Sequence, residues 1–322
     1  MATDTKPKVL CLMGPTGIGK SALALALAER FPAEIVSVDS AMIYRGMDIG
    51  TAKPDAAERA RVPHHLLDIR DPEESYSAAE FARDATRAIE EIVARERTPI
   101  LVGGTFLYFR ALIAGLSPLP AADPATRAAI RGRAERKGWD TLHRELAAAD
   151  PEAAARIHPR DRQRLERALE LYRLSGKAPS RLYESVGPAA NLDFRKIALL
   201  PDDRAALASH LEGRFEAMLA AGLVTEVRGL CERGALDAAT PAARALNYRQ
   251  LRGWLAGEYD YAEACRRAVV ATRRYAKRQL TWLRREPDCV SVCVEIGASE
   301  PSSSDRIKKL CTGFLHVRMH SI

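Results

Sequence analysis

Apolar and polar positions along the first hundred residues follow two alternating rhythms. Lys8–Met13 is a short apolar run, Ile35–Val38 is rich in β-branched residues and stops at Asp39, and Pro99–Val102 is apolar and stops at Gly103-Gly104-Thr105. Short apolar runs bounded by turn residues read as buried strands. Between them, Ser21–Arg30 is Ala/Leu-rich and Ser77–Arg95 is amphipathic, so both read as helices. Strands alternating with helices predict a parallel α/β sheet, with binding groups at the carboxyl ends of its strands. From Pro118 the rhythm changes. Helical segments punctuated by Pro151, Pro159 and Pro179 fill Arg127–Arg181, a strand candidate returns at Lys196–Leu200, and helices follow to about Arg285. The pattern predicts an α/β core of residues 1–117 and 196–287, interrupted by a helical insertion domain, 118–195. The tail, 288–322, combines a possible strand (Cys289–Ile296) with Ser/Glu/Pro-rich sequence and carries no assigned role.

Composition narrows the class. With 322 residues, 47% hydrophobic and 28% charged, the chain can bury a sizeable core and does not read as disordered. No stretch approaches the roughly 20 apolar residues that span a membrane. Met1–Lys8 lacks the layout of a signal peptide, so no membrane partner and a cytoplasmic location are expected. The six cysteines are scattered, and Cys289 and Cys293 have no second pair to complete a zinc site, which predicts unbridged thiols. His64 and His65 read as loop residues. A net charge of +7 permits a polyanionic partner without requiring one. The placement of the charge has to decide.

Gly14-Pro15-Thr16-Gly17-Ile18-Gly19-Lys20-Ser21 fits the phosphate-binding P-loop pattern, and it follows a predicted strand and opens a predicted helix. Glycines let the backbone N–H groups converge on phosphate oxygens, and the helix N-terminus adds a favourable field. Lys20 is expected to neutralise the terminal phosphate and the Ser21 hydroxyl to bind Mg²⁺. The core is therefore expected to be P-loop NTPase-like. The motif points to a phosphate chain without saying which one, since a diphosphate presents the same oxygens as a nucleotide.

Asp39, at the end of its strand, projects from the same rim as the P-loop. Alone it reads equally as a helix N-cap or as the metal-binding acid of an NTPase. Thr105 stands at the end of another strand after two glycines. Together they place a carboxylate and a hydroxyl opposite a phosphate cradle.

Two segments concentrate positive charge. Arg127–Arg181 holds 14 Arg and Lys against eight acids, and Arg266–Arg285 holds eight basic residues and no acid. On a helix, Arg267, Arg274 and Arg278 share one face with Arg266, Arg273 and Lys277 beside it, while Val269, Ala276, Leu280 and Leu283 form the apolar side. Such a stripe suits phosphate contacts that are salt-sensitive and blind to sequence, although a solvated helix face explains it too.

Several dispersed stretches resemble one family, the bacterial tRNA dimethylallyltransferases. They are Asp39-Ser40-Ala41-Met42-Ile43-Tyr44 through Gly50-Thr51-Ala52-Lys53-Pro54, Pro63-His64-His65-Leu66-Leu67-Asp68, Leu101-Val102-Gly103-Gly104-Thr105 with Tyr108, and Gly115-Leu116-Ser117-Pro118-Leu119-Pro120. Further on come Arg156-Ile157-His158-Pro159, Gln163-Arg164-Leu165-Glu166-Arg167-Ala168-Leu169-Glu170, Asn247-Tyr248-Arg249-Gln250 and Ala276-Lys277-Arg278-Gln279-Leu280-Thr281-Trp282-Leu283-Arg284. They occur in the family's order over about residues 8–286. The resemblance implies transfer of a dimethylallyl group from dimethylallyl diphosphate to N6 of adenosine 37, beside the tRNA anticodon. It implies Asp39 as general base, Thr105 as a residue holding that acid and the target base, and Gly14–Ser21 as the grip on the diphosphate, with no nucleoside triphosphate consumed. Contacts with the tRNA anticodon stem-loop are implied for Asp39, Ser40, Ala41, Met42, Thr105, Arg127, Gln163, Arg164, Leu165, Glu166, Arg167, Arg244, Asn247, Tyr248 and Arg249, with Arg274 and Arg278 from the basic stripe. A monomer is expected. The alternatives are a small-molecule P-loop kinase, which would turn over ATP, and an adenylate prenyltransferase, against which the long basic insertion argues.

Overall fold

The computed structural model describes residues 6–182, 191–238 and 240–296. Six strands, β1 (Lys8–Met13), β2 (Ala33–Val38), β3 (His64–His65), β4 (Thr98–Gly103), β5 (Asp193–Pro201) and β6 (Cys289–Val294), form one sheet in the order β3-β2-β4-β1-β5-β6. Every neighbouring pair is parallel. The central strands read as unbroken apolar runs because both faces are covered. Alternate side chains divide between two cores. Leu10, Leu12, Ile35 and Ile100 pack with Ala24 and Leu27 of the Lys20–Arg30 helix, while Val9, Cys11, Val36 and Leu101 pack with Phe81 and Ile89 of the Ala78–Ala94 helix. Ser77 starts that second helix through a reciprocal capping box with Glu80, which fixes the boundary the amphipathic pattern predicts.

The connection leaving β1 runs to β2 on one side, whereas the chain leaving β4 next joins the sheet at β5 on the other. Adjacent strands with divergent connections open a crevice above their carboxyl ends, the usual ligand position in such sheets. Here it lies above Met13 and Gly103, which are paired in register.

A third core lies around the Leu223–Glu232 and Tyr248–Leu255 helices and the first turns of the Tyr261–Leu283 helix. It gathers Ile43, Tyr44 and Met47, from the segment after β2, against Val227, Tyr248, Leu251 and Ala268. The segment following Asp39 is thereby packed rather than loose.

Ala114–Ala189 forms a compact unit of its own. Its helices at Pro124–Lys137, Trp139–Ala149, Pro151–Arg156 and Arg162–Ser175 enclose Ile130, Leu142, Leu146 and Leu165. Pro124 and Pro151 open helices, where a missing N–H costs nothing.

Three sequence expectations change. His64 and His65 are a short strand rather than loop, and His65 Nε2 lies 2.7 Å from the buried carboxylate of Glu34, which Arg95 also grips. Two residues are too few to show an alternation. The expected insertion boundary at 195 falls inside β5, which begins at Asp193. The expected core boundary at 287 falls short as well, because Cys289–Val294 pairs along β5 as the edge strand β6. The remainder of the tail beyond Ile296 lies outside the described residues.

Candidate active site

The turn after β1 leads directly into the Lys20–Arg30 helix. Gly19 caps that helix with φ +91° and offers no side-chain bond, so the first N–H groups keep no side-chain partner at the cap. An L side chain rarely adopts that conformation, which is why the sequence needs glycine there. Ile18 turns inward into the core, and Ser21 stands exposed on the first turn. Lys20 Nζ donates to the Pro15 carbonyl at 2.7 Å, folded back over the loop that it serves.

The loop is clamped from the far end of the chain. Gln279, buried on the Tyr261–Leu283 helix, accepts from Thr16 N–H at 2.9 Å and donates to the Gly104 carbonyl at 2.9 Å. A single amide therefore joins the turn after β1 to the turn after β4. Gly104 is required because a Cβ there would lie 2.1 Å from Gln279 Nε2.

A second cation faces Lys20. Arg214, from the Arg204–Ala220 helix, reaches over Thr16 with Nη1 3.3 Å from its hydroxyl. Burial, then the neighbouring Arg214, press the Lys20 ammonium down to about 7, with Asp39 opposing. Burial likewise disfavours the charge on Arg214, with Asp39 again opposing. Two poorly solvated cations side by side form a site that gains most from a multiply charged anion.

Asp39 ends β2 on the same rim. Its Oδ1 accepts from Ala41 N–H at 2.8 Å and Met42 N–H at 3.3 Å, a turn that fixes the carboxylate. No described residue bonds Oδ2. Thr105 Oγ1 accepts from Ser40 N–H at 3.2 Å, so strand ends β2 and β4 are tied beside the carboxylate. The half-buried Tyr275 completes this corner. Burial and the nearby Asp39 raise its hydroxyl to about 12, moderated by Thr105, Arg278 and Gln279, so it is a neutral donor at neutral pH.

The wall after Asp39 is held by charged anchors. Glu226 accepts from three consecutive N–H groups, Asp48 at 3.0 Å, Ile49 at 2.7 Å and Gly50 at 3.2 Å, and from the Tyr248 hydroxyl at 2.5 Å. Lys53, its side chain wholly buried, bonds the Tyr44 carbonyl at 2.7 Å and the carboxylates of Asp48 and Asp68 at 2.6 Å each.

Two chambers meet at this wall. One, of about 270 Å³, runs from Gly17, Lys20 and Ser21 to an apolar side made by Ile35, Met42, Leu67 and Val102. The other, of about 300 Å³, is bordered by Ser40, Ala41, Arg244, Asn247, Arg249 and Arg278. Thr16, Asp39, Thr51, Arg214 and Tyr275 line both. A chamber lined by Lys20 and an arginine-rimmed chamber thus share the carboxylate.

The expected RNA contacts separate by burial. Ser40, Gln163, Arg164, Arg244, Arg249, Arg274 and Arg278 are exposed, and Ala41, Met42 and Thr105 are half-buried. Leu165 and Tyr248 are fully buried core residues, so these two are corrected to structural positions, while Asn247, though 7% exposed, borders the second chamber. Motif neighbours on a helix alternate between core and surface, and a stretch of resemblance does not distinguish them. In the insertion unit, Arg127 and Arg167 are engaged by the fully buried Glu170, and Glu166 by Arg131. Burial opposes the charge on Glu170, yet Arg127 and Arg167 hold its carboxyl below the ordinary value. The acid-free stripe is also partly quenched. Arg266 and Arg267 both pair with Glu263, just before the counted segment, and Arg273 pairs with Glu212 of another helix.

Residues 42–286 match the family described as IPP transferase. A tRNA dimethylallyltransferase of Halorhodospira halophila is 58% identical over 283 residues, 88% of this chain and 91% of that protein. One from Bordetella pertussis is 56% identical over 89% of this chain and 93% of that protein. The chain belongs to the IPP transferase family. Solved members share the fold: a tRNA isopentenylpyrophosphate transferase from Bacillus halodurans superposes with TM-score 0.71 at 36% identity, covering 97% of this chain and 98% of that one. A eukaryotic dimethylallyltransferase acting on tRNA superposes at 0.77 with 26% identity, over 97% of this chain and 80% of that one. Sequence reasoning singled out the P-loop, Asp39 and Thr105 but missed Arg214, Tyr275, Gln279 and Glu226 as members of the site. Of these, Gln279 alone lies inside a stretch of family resemblance, Ala276–Arg284, which does not reveal its contacts.

Among the described residues no cluster of three or more His, Cys, Asp or Glu could hold a metal ion. The Ser21 hydroxyl is nevertheless exposed on the first turn beside Lys20, where it can supply one oxygen ligand while a bound diphosphate supplies others. The residues present therefore fit Mg²⁺ arriving with its phosphate ligand.

Proposed function

We propose that this protein transfers the dimethylallyl group of dimethylallyl diphosphate to N6 of adenosine 37 in tRNA, acting as a cytoplasmic monomer. The observation that carries the reading is the placement of Asp39 on the wall common to the two chambers, with Lys20 and Arg214 on one side and the Arg244, Arg249 and Arg278 rim on the other. Among the described residues no helix is long and apolar enough to cross a membrane.

In this mechanism the diphosphate rests against the helix N-terminus, Lys20 and Arg214, and its prenyl tail lies along Ile35, Met42, Leu67 and Val102. The acceptor base leaves its stack and enters the second chamber, since a stacked base cannot reach the carboxylate. The adenine amine is a weak nucleophile because its lone pair is delocalised into the ring. Asp39 Oδ2 accepts the N6 proton as nitrogen bonds to the allylic carbon and the carbon–oxygen bond to diphosphate breaks. Lys20 and Arg214 stabilise the charge growing on the departing oxygen. When bound through Ser21, Mg²⁺ supplies further charge neutralisation on the diphosphate. Thr105 and Tyr275 orient the carboxylate and the base and transfer no proton.

The test is to incubate the protein with labelled dimethylallyl diphosphate and unmodified tRNA, and to map the label. Label on adenosine 37 supports the reading. Label on free AMP in preference to RNA, or ATP turnover without label transfer, contradicts it.

A further inference from the structure

Trp282 is 41% exposed on the last turn of the Tyr261–Leu283 helix, and Leu107 beside its partner Phe106 is 51% exposed. An exposed apolar residue alone is ordinary, so the weight falls on how this indole is held and on what surrounds it. The Trp282 ring lies almost parallel to that of Phe106, with centroids 6.4 Å apart and planes 8° apart. Phe106, buried at the start of the next helix after Thr105, backs the indole on one side. The arrangement holds the indole plane in a defined orientation while much of the side chain stays accessible.

Its position relative to the chambers follows from helix geometry. Arg278 lines the acceptor chamber, and Trp282 is four residues further along the same helix, hence on the same face and about 6 Å along its axis. Gln279, between them, is bonded to the Gly104 turn, and Tyr275, one turn earlier, reaches Thr105. That rise of about 6 Å between Arg278 and Trp282 is on the order of one nucleotide step. Lys277, Arg278 and Arg284 near this end of the helix are exposed, as is Arg110, four residues after Phe106, while the acid Glu286 is paired with Lys196. Charge of this sign suits a polyanion and disfavours a basic protein surface.

The geometry points to Trp282 as a stacking platform for an unpaired base of the RNA substrate that flanks the acceptor adenine. This rests on the proposed prenyl transfer to RNA and adds a residue that selects single-stranded substrate. An extruded base leaves its neighbour with one uncovered face. An indole offered at that distance replaces the lost stack whatever the base identity, which is how aromatic side chains recognise unpaired strands.

The experiment uses the full chain and anticodon stem-loops carrying the fluorescent base 2-aminopurine on the 5′ or the 3′ side of the acceptor. Wild-type protein is expected to quench one of the two on binding. Trp282→Ala and Trp282→Leu should both abolish that quench and weaken stem-loop affinity about 5- to 100-fold, while Trp282→Phe should restore most of both. Leucine keeps the apolar bulk, so parity between Leu and wild type would overturn stacking in favour of simple packing. Dimethylallyl diphosphate binding serves as the folding control for each variant. Quenching retained in Trp282→Ala overturns the proposal. So does a self-association lost in Trp282→Ala without change in RNA affinity, which would make the surface a contact between copies. Wild type that binds and labels RNA while the Trp282 variants match it sinks the platform alone; wild type that labels no RNA sinks the prenyl-transfer reading itself.

Discussion

Replacing Gln279 by leucine probes how the two turns that line the first chamber are held together. The side chain is 3% exposed and makes two bonds of 2.9 Å, one from Thr16 N–H and one to the Gly104 carbonyl. Leucine keeps most of the volume, so the loss is mainly polar. Each backbone group left unpaired in a dry setting costs about 1–3 kcal/mol. The Gly104 carbonyl is buried, whereas Thr16 is half-buried and its N–H can recover water. A destabilisation of about 2–4 kcal/mol follows for the pair of bonds, measured by urea denaturation. The turn after β1 should also lose its set, raising the KM for dimethylallyl diphosphate more than that for RNA. Gly104→Ala should reproduce the defect, because its Cβ would lie 2.1 Å from Gln279 Nε2 and displace the amide. The two changes combined should cost little more than either alone, as expected of partners in one contact. A Gln279→Leu protein within about 1 kcal/mol of wild type, with an unchanged donor KM, would refute the clamp.

Lys20→Ala should cripple turnover and leave RNA affinity largely intact, and equal loss of both would remove Lys20 from the diphosphate. Because the free Lys20 ammonium is held at about 7, chiefly by burial, it is charged below that pH and neutral above it. Donor binding that needs the charged form should then weaken by up to about tenfold per pH unit well above 7, and Lys20→Arg should flatten this profile. RNA affinity should fall steeply with salt, and removal of Arg274 or Arg278 should each lower the slope of log affinity against log salt by roughly 0.7–0.9. Arg266→Ala should lower it less, since Glu263 already neutralises that side chain.

Local signals carried much of this molecule. The glycine pattern between a strand and a helix picked out the turn that lines the first chamber, and strand-end positions put Asp39 and Thr105 beside it, because a parallel sheet gathers its carboxyl ends on one rim. Contacts that depend on distant partners were not legible. Gln279 meets Thr16 across 263 positions and Arg214 meets Thr16 across 198, and nothing local marks either pairing. Charge counted along one helix misled in the same way: Arg273 is matched by Glu212 on another element. The motif around Asn247-Tyr248-Arg249 showed that the segment matters without showing that Tyr248 faces inward to Glu226 while Arg249 faces solvent. The edge strand β6 was foreshadowed by the possible strand at Cys289–Ile296, but its partner, β5, lies some ninety positions earlier.

The most direct test of the chemistry is the single-turnover rate of Asp39→Asn with saturating donor and tRNA. Asparagine keeps the side-chain oxygen that Ala41 and Met42 bond, so the turn and both chambers should persist. It cannot take up the N6 proton. The rate of bond formation should fall about 10²- to 10⁴-fold, with both substrates still bound, and Thr105→Ala should cost less. An Asp39→Asn protein that transfers the prenyl group at near wild-type rate would contradict the account and return Asp39 to the role of a strand-end cap.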